Sequence, residues 1–159
     1  MDVKLDTENF VKEWDTLRSK LAQTMEKQSG LGLPSEGLEA IYHKAHGAFA
    51  AENYELAENL FLLLRTMEPG ETRFQIGLAA ASEAQEKYDV ALTHYSMAMA
   101  CGEQTPGLLY RAGKCLLGME NREEARAFFT MAGSAAHGGV PGEIIAVEKA
   151  KKWMVLLTD

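Results

Sequence analysis

The chain has 159 residues, enough for one ordinary domain, and its composition of 47% hydrophobic and 25% charged residues is typical of a soluble protein. Its net charge of −7 argues against nucleic-acid and membrane surfaces as partners, because both need clustered cations and the chain has one tight cluster, Lys149, Lys151 and Lys152. No apolar run is long enough to cross a membrane or resembles a signal peptide, so we expect a cytosolic protein.

The first predicted element is an amphipathic helix within residues 6–28. Its apolar side chains recur at steps of three or four residues: Phe10, Trp14, Leu17, Leu21 and Met25. Gly30 ends this helix and a linker runs to Pro34, so residues 1–34 are expected to form a separate N-terminal segment. The stripe either caps the following domain or joins two copies of the chain through Phe10, Trp14, Leu17 and Leu21. Both alternatives stay open, and the size of the stripe leads us to predict a weak homodimer.

From about residue 38 the chain repeats itself with a period of 34 residues. A small residue recurs at Ala45, Ala79 and Gly113, and a second one at Ala57, Ala91 and Ala125. An aromatic residue follows the second small residue at Phe61, Tyr95 and Phe129. This pattern resembles the tetratricopeptide repeat, which is a helix–turn–helix unit.

The repeat pattern also has a direct physical interpretation. Two helices that cross closely need small side chains where they touch, and the aromatic residue fills the space toward the next unit. We predict three helical hairpins at about residues 38–71, 72–105 and 106–139, followed by a capping helix over residues 143–157. Residues 35–159 would then form one all-α domain in which the hairpins stack as a superhelical array.

The sequence contains no pattern that indicates catalysis. His43 and His46 are three residues apart, but a metal site needs at least three ligands and the repeats provide no equivalent histidine. Gly107 to Cys115 has the wrong spacing for a phosphate-binding loop, and no serine-nucleophile or zinc-protease motif is present. We therefore expect a binding protein that is not an enzyme and has no metal or cofactor.

The candidate binding residues come from the family's groove positions. In a tetratricopeptide array the first helices of successive repeats line the concave side. The positions assigned in this way are Tyr42, His46, Phe49, Arg73, Ile76, Ala80, Glu83, Tyr110, Lys114 and Leu117. The fifth-position row, Tyr42, Ile76 and Tyr110, suits an extended peptide with spaced apolar side chains, although these three residues could instead belong to the core.

Five segments resemble one particular group of tetratricopeptide-repeat proteins. These segments are Leu38–Ala45, Ala57–Phe61, Arg73–Ala80, Tyr88–Ser96 and Gly113–Leu117. They are similar to the class II chaperones of bacterial type III secretion. This resemblance implies a bacterial cytoplasmic chaperone whose groove holds an extended N-terminal segment of hydrophobic, secreted translocator proteins. The alternative is a tetratricopeptide adaptor or regulator with the same groove and a different peptide partner.

Overall fold

The computed structural model describes residues 35–158 of the chain. The predicted cap or dimerisation residues Phe10, Trp14, Leu17 and Leu21 lie outside these residues, so their role stays a prediction. The chain divides into two compact units, Met1–Leu38 and Glu39–Asp159, and of the first unit only residues 35–38 are described. Between residues 35 and 158, no helix is long and apolar enough to span a membrane.

The described part is helical, which confirms the predicted all-α class. Its seven helices are α1 (Ser35–Ala50), α2 (Tyr54–Met67), α3 (Thr72–Ala84), α4 (Tyr88–Ala100), α5 (Pro106–Gly118), α6 (Arg122–Ser134) and α7 (Pro141–Leu156). In chain order each helix from α2 to α6 packs against the next, and α7 packs against both α5 and α6. This is the contact pattern of stacked helical hairpins.

The recurring small and aromatic residues form the core. All members of the three rows are buried: Ala45, Ala79 and Gly113; Ala57, Ala91 and Ala125; Phe61, Tyr95 and Phe129. A Cβ atom at Gly113 would lie 2.7 Å from a ring atom of Phe129, which explains why this row has glycine in its third copy. The 34-residue period of the sequence is therefore the period of the packed core.

The turn inside each hairpin contains a glutamate in the left-handed region. Glu52, Glu86 and Glu120 have φ angles of 60°, 60° and 61°. The next residue donates its N–H back to the helix, as from Lys87 to the Ser82 carbonyl at 3.0 Å, so each first helix ends in a Schellman motif. Glycine usually occupies this position, because a side chain there is strained by about 1–2 kcal/mol.

Replacing Glu86 with glycine is expected to leave the free energy of unfolding unchanged or to raise it by up to about 1 kcal/mol, because relief of strain offsets the entropy of glycine. Glu86→Ile should lower it, since a β-branched side chain fits the left-handed region poorly. Glu148→Gly, in the middle of α7, is the matched control and should cost about 1 kcal/mol. If urea unfolding shows the same loss in the free energy of unfolding for Glu86→Gly and Glu148→Gly, the left-handed turn is ruled out.

The last helix continues the register of the repeats. A step of 34 residues leads from Tyr110 to Ile144 and from Gly113 to Val147, so α7 stands where the first helix of a fourth repeat would begin. The helix starts at Pro141 and ends at Leu156, whereas residues 143–157 were predicted. The earlier start has a physical reason, because the fixed φ of proline fits the first turn of a helix.

Candidate functional site

The fifth-position row lies on three successive first helices. Tyr42 is on α1, Ile76 on α3 and Tyr110 on α5, and all three side chains are half-buried. Ile76 packs against the core cluster around Tyr95, and Tyr110 packs against the cluster around Phe129. Each side chain thus rests on the core and leaves part of its surface accessible, as a binding wall requires.

Aromatic rings surround Tyr42 at the first end of this row. Its ring lies 4.5 Å from the His46 ring and 6.1 Å from the Phe61 ring, both edge to face, and 5.6 Å from the Phe74 ring. His46 is exposed, whereas Phe61 and Phe74 are buried. Tyr42 is therefore held by buried rings on one side and lies beside an exposed imidazole on the other.

Arg73 forms the rim between α1 and α3. Its guanidinium carbon lies 4.7 Å from the centre of the Tyr42 ring and 4.9 Å from that of Phe74, so the cation covers both aromatic faces. Arg73 also forms an ion pair with Glu39, one repeat period earlier, and its Nε lies 3.4 Å from a carboxylate oxygen of Glu71. The hydrogen bond from Arg73 lowers the pKa of Glu39. These contacts fix the planar cation against the apolar wall.

Glu83 occupies a groove position, yet its side chain is only 9% exposed. It accepts hydrogen bonds from the Tyr95 hydroxyl at 2.7 Å, Arg111 at 3.1 Å and Lys114 Nζ at 3.0 Å. Burial alone would raise the pKa of Glu83, but these donors outweigh it and hold the pKa below its usual value. The carboxylate thus links α3 to both α4 and α5.

The other predicted groove residues lie on the same three helices. Phe49 is half-buried and packs edge to face on Tyr54, with 5.2 Å between ring centres. Ala80 is half-buried on α3, four residues after Ile76. Leu117 is half-buried against the core cluster of Phe129.

Three residues beside the groove were missed by the sequence analysis. Arg111 shares Glu83 with Lys114, and their spacing of three residues on one helix could have indicated a pair. Glu143 of α7 accepts the Gly107 N–H at 2.6 Å, which covers the first turn of α5. Ile144 is half-buried and continues the fifth-position row by the same 34-residue step.

Among residues 35–158, no cluster of three or more histidine, cysteine, aspartate or glutamate side chains could hold a metal ion. The site offers half-buried apolar side chains, one cation stacked on aromatic rings and a largely buried carboxylate that pairs with two cations. Half-buried apolar side chains with a few polar groups beside them are the kind of surface that binds an extended peptide.

Comparison with known proteins finds sequence relatives, although no family model matches the chain. The low calcium response locus protein H of Yersinia pestis is 30% identical over 95 residues, which are 60% of this chain and 56% of that protein. The protein of the same name from Yersinia pseudotuberculosis matches equally. The matched segment therefore spans little more than half the length of these relatives.

Solved structures match over a larger part of the chain. PcrH from Pseudomonas aeruginosa has a TM-score of 0.73 at 22% identity, over 80% of this chain and 96% of that one. The Yersinia enterocolitica chaperone SycD in complex with a peptide of the translocator YopD has a TM-score of 0.72 at 24% identity, over 79% and 95%. PcrH with the chaperone-binding region of PopD scores 0.73 at 23% identity, over 80% and 95%. The resemblance drawn from the sequence is thus confirmed: the chain has the fold of the type III secretion translocator chaperones and shares part of their sequence.

Proposed function

We propose that this chain is a cytoplasmic chaperone of a bacterial type III secretion system. Its concave groove would bind an extended N-terminal segment of a hydrophobic translocator protein and keep that client soluble and unassembled before export. Apolar surfaces made for a membrane aggregate in water unless they are kept apart. Binding alone performs this task, so the proposal requires no cofactor.

The observation that carries the proposal is the half-buried row of Tyr42, Ile76 and Tyr110. Their accessible apolar surfaces lie on three successive first helices, where they would offer client side chains a series of shallow apolar contacts. Each client leucine or valine buried there contributes about 1.5–3 kcal/mol before ordering costs. Three such anchors contribute about 4.5–9 kcal/mol before the costs of association, so backbone hydrogen bonds or further contacts must add to the affinity.

The geometry of the array sets the spacing of these anchors. Packed helices lie about 8–10 Å apart, and an extended peptide advances about 3.3 Å per residue. A strand that crossed first helices with this separation would meet a new apolar side chain about every third residue. The client segment should accordingly carry apolar residues about three positions apart, with polar residues between them.

The peptide complexes of the similar chaperones support this assignment. SycD was solved with a peptide of the translocator YopD, and PcrH with the chaperone-binding region of PopD. Those clients belong to those chaperones, and we propose a client of the same class for this chain. The homodimer predicted from the N-terminal stripe is part of the proposal, because one of the SycD structures is described as an alternative dimer.

Co-expression with the hydrophobic secreted proteins encoded beside this chain tests the proposed function. We expect one of them to be insoluble alone and to elute with the chain as a soluble complex in size-exclusion chromatography. Ile76→Glu should abolish this capture, because it places a charge in the middle pocket. Thr93→Glu adds the same charge at an exposed position of α4 and is the matched control.

Capture that survives Ile76→Glu would place the client outside the groove. If the groove retains only proteins that are not secreted, the chain is a tetratricopeptide adaptor and the proposed function is wrong.

A further inference from the structure

Glu83 differs from the groove residues around it because its charge is used inside the protein. The carboxylate is buried and accepts hydrogen bonds from the hydroxyl of Tyr95 and from the cations of Arg111 and Lys114. These donors lie on α4 and α5, whereas Glu83 lies near the end of α3. The interaction therefore crosses the junction between the second and third hairpins, on the first helices that line the groove.

The two cations remain accessible while they hold Glu83. The side chain of Arg111 is 47% exposed and that of Lys114 is 46% exposed. A guanidinium has five N–H donors and an ammonium has three, so neither is used up by one carboxylate. Two cations share one carboxylate, which leaves the cluster with one net positive charge beside the groove.

A pair of cations at this spacing is a binding site for a carboxylate, since charge-assisted hydrogen bonds to Arg and Lys are among the stronger polar contacts. Glu83 already fills this site. It is attached to α3 and held by hydrogen bonds, so a carboxylate of a bound peptide would share the two cations with Glu83 and would meet its negative charge. An apolar client residue meets no such competition.

We propose that Glu83 tunes the specificity of the groove by occupying the Arg111–Lys114 cation pair from within, so that an acidic client residue gains less binding from these cations than it would gain without Glu83. This inference rests on the proposed peptide-binding function. The occupant remains an extended client segment, and the inference adds that acidic residues contribute little affinity in the part that passes Lys114.

Selection from a displayed library of random peptides tests this inference without knowledge of the client. The wild-type chain should retain peptides with spaced apolar residues and few Asp or Glu residues. Glu83→Gln keeps the shape and can still accept the Tyr95 hydroxyl hydrogen, but it removes the charge. Its selected peptides should contain Asp or Glu at one position about tenfold more often than the wild-type pool.

A second variant tests the same site with Glu83 in place. Lys114→Met removes one of the two cations, so only Arg111 is left to neutralise the negative charge of Glu83. Its selected peptides should be enriched in Lys or Arg at the position where the Glu83→Gln pool gains acidic residues. Adding Lys114→Met to Glu83→Gln should remove most of that acidic enrichment. These shifts in charge preference would not follow from a loss of stability alone.

The outcomes separate the inference from the proposed function. If the folded wild-type chain retains no peptides, the peptide-binding function itself is wrong. If wild type, Glu83→Gln and Lys114→Met all select the same charge composition, Glu83 is a structural residue and the inference is overturned. If Glu83→Gln fails to fold, the charge preference of Lys114→Met alone decides whether Glu83 tunes specificity or is only a structural residue.

Discussion

The double variant Tyr42→Ala, Tyr110→Ala is expected to lose binding of the client segment by about a hundredfold or more, on the order of tenfold for each pocket. Both rings are half-buried, and in the proposed groove their removal takes away the apolar walls at its two ends. Titration calorimetry with the client peptide identified by co-expression would measure this loss. Tyr42→Phe and Tyr110→Phe should bind almost normally, because they keep the apolar ring.

The structure also predicts a cost in stability for the double variant. Tyr42 lies 6.1 Å from the buried Phe61 ring, and Tyr110 lies 5.7 Å from the buried Phe129 ring. The melting temperature of the double variant is therefore expected to fall together with its affinity for the peptide. A control must lose similar stability away from the groove.

Phe128→Ala is that control. Phe128 is half-buried on α6 and packs against the same core cluster as Tyr110, but it lies on a second helix of a hairpin. It should melt earlier and still bind the peptide. If Phe128→Ala loses binding to the same degree, the effect of the tyrosines is explained by destabilisation. If the double tyrosine variant binds normally, the peptide is held elsewhere.

Gly77→Ala and Gly47→Ala are expected to change stability in opposite directions. A Cβ atom at Gly77 would lie 2.4 Å from a ring atom of Phe61, which is itself only 1% exposed. The ring and the backbone of α3 must move apart, and overpacking of this kind costs about 1–3 kcal/mol or more.

At Gly47, in α1, a Cβ atom would meet nothing within 4 Å. Alanine there should raise the free energy of unfolding by about 0.5–1 kcal/mol, because glycine is a poor helix former. Urea unfolding of the two variants measures both effects on the same protein. A mild result for Gly77→Ala would show that Phe61 does not pack against α3 as described.

The period of the repeats predicted most of the fold. A small residue at a helix crossing and an aromatic residue in the adjacent gap are local requirements, so they recur at the same step as the hairpins themselves. This is why Ala91 and Tyr95 could be assigned to the core before the structure was known. The groove row of Tyr42, Ile76 and Tyr110 follows from the same register, although the period could not separate a core role from a binding role. How far these three side chains are buried depends on the neighbouring hairpin, so only the tertiary structure could show that they are half-buried.

Other features could not be predicted because the contacts that cause them join distant parts of the chain. Gly77 belongs to no recurring row, and the Phe61 ring of the preceding hairpin is the reason that no side chain fits there. The left-handed turn at Glu86 has a different reason, because its hydrogen bonds are local and the same glutamate recurs at Glu52 and Glu120. Its polar neighbours indicated a turn, but glutamate does not by itself mark left-handed backbone as glycine does.

The sequence by itself determined the helical hairpins and their register, because these depend on residues that repeat every 34 positions. It could not distinguish Glu83 from an acidic residue facing the solvent. Only the tertiary structure decided that Glu83 is buried between Tyr95, Arg111 and Lys114, because those partners lie 12, 28 and 31 residues further along the chain. The charge that a peptide meets in the groove depends on such contacts between hairpins, since a buried carboxylate is stable only where folding brings its donors together.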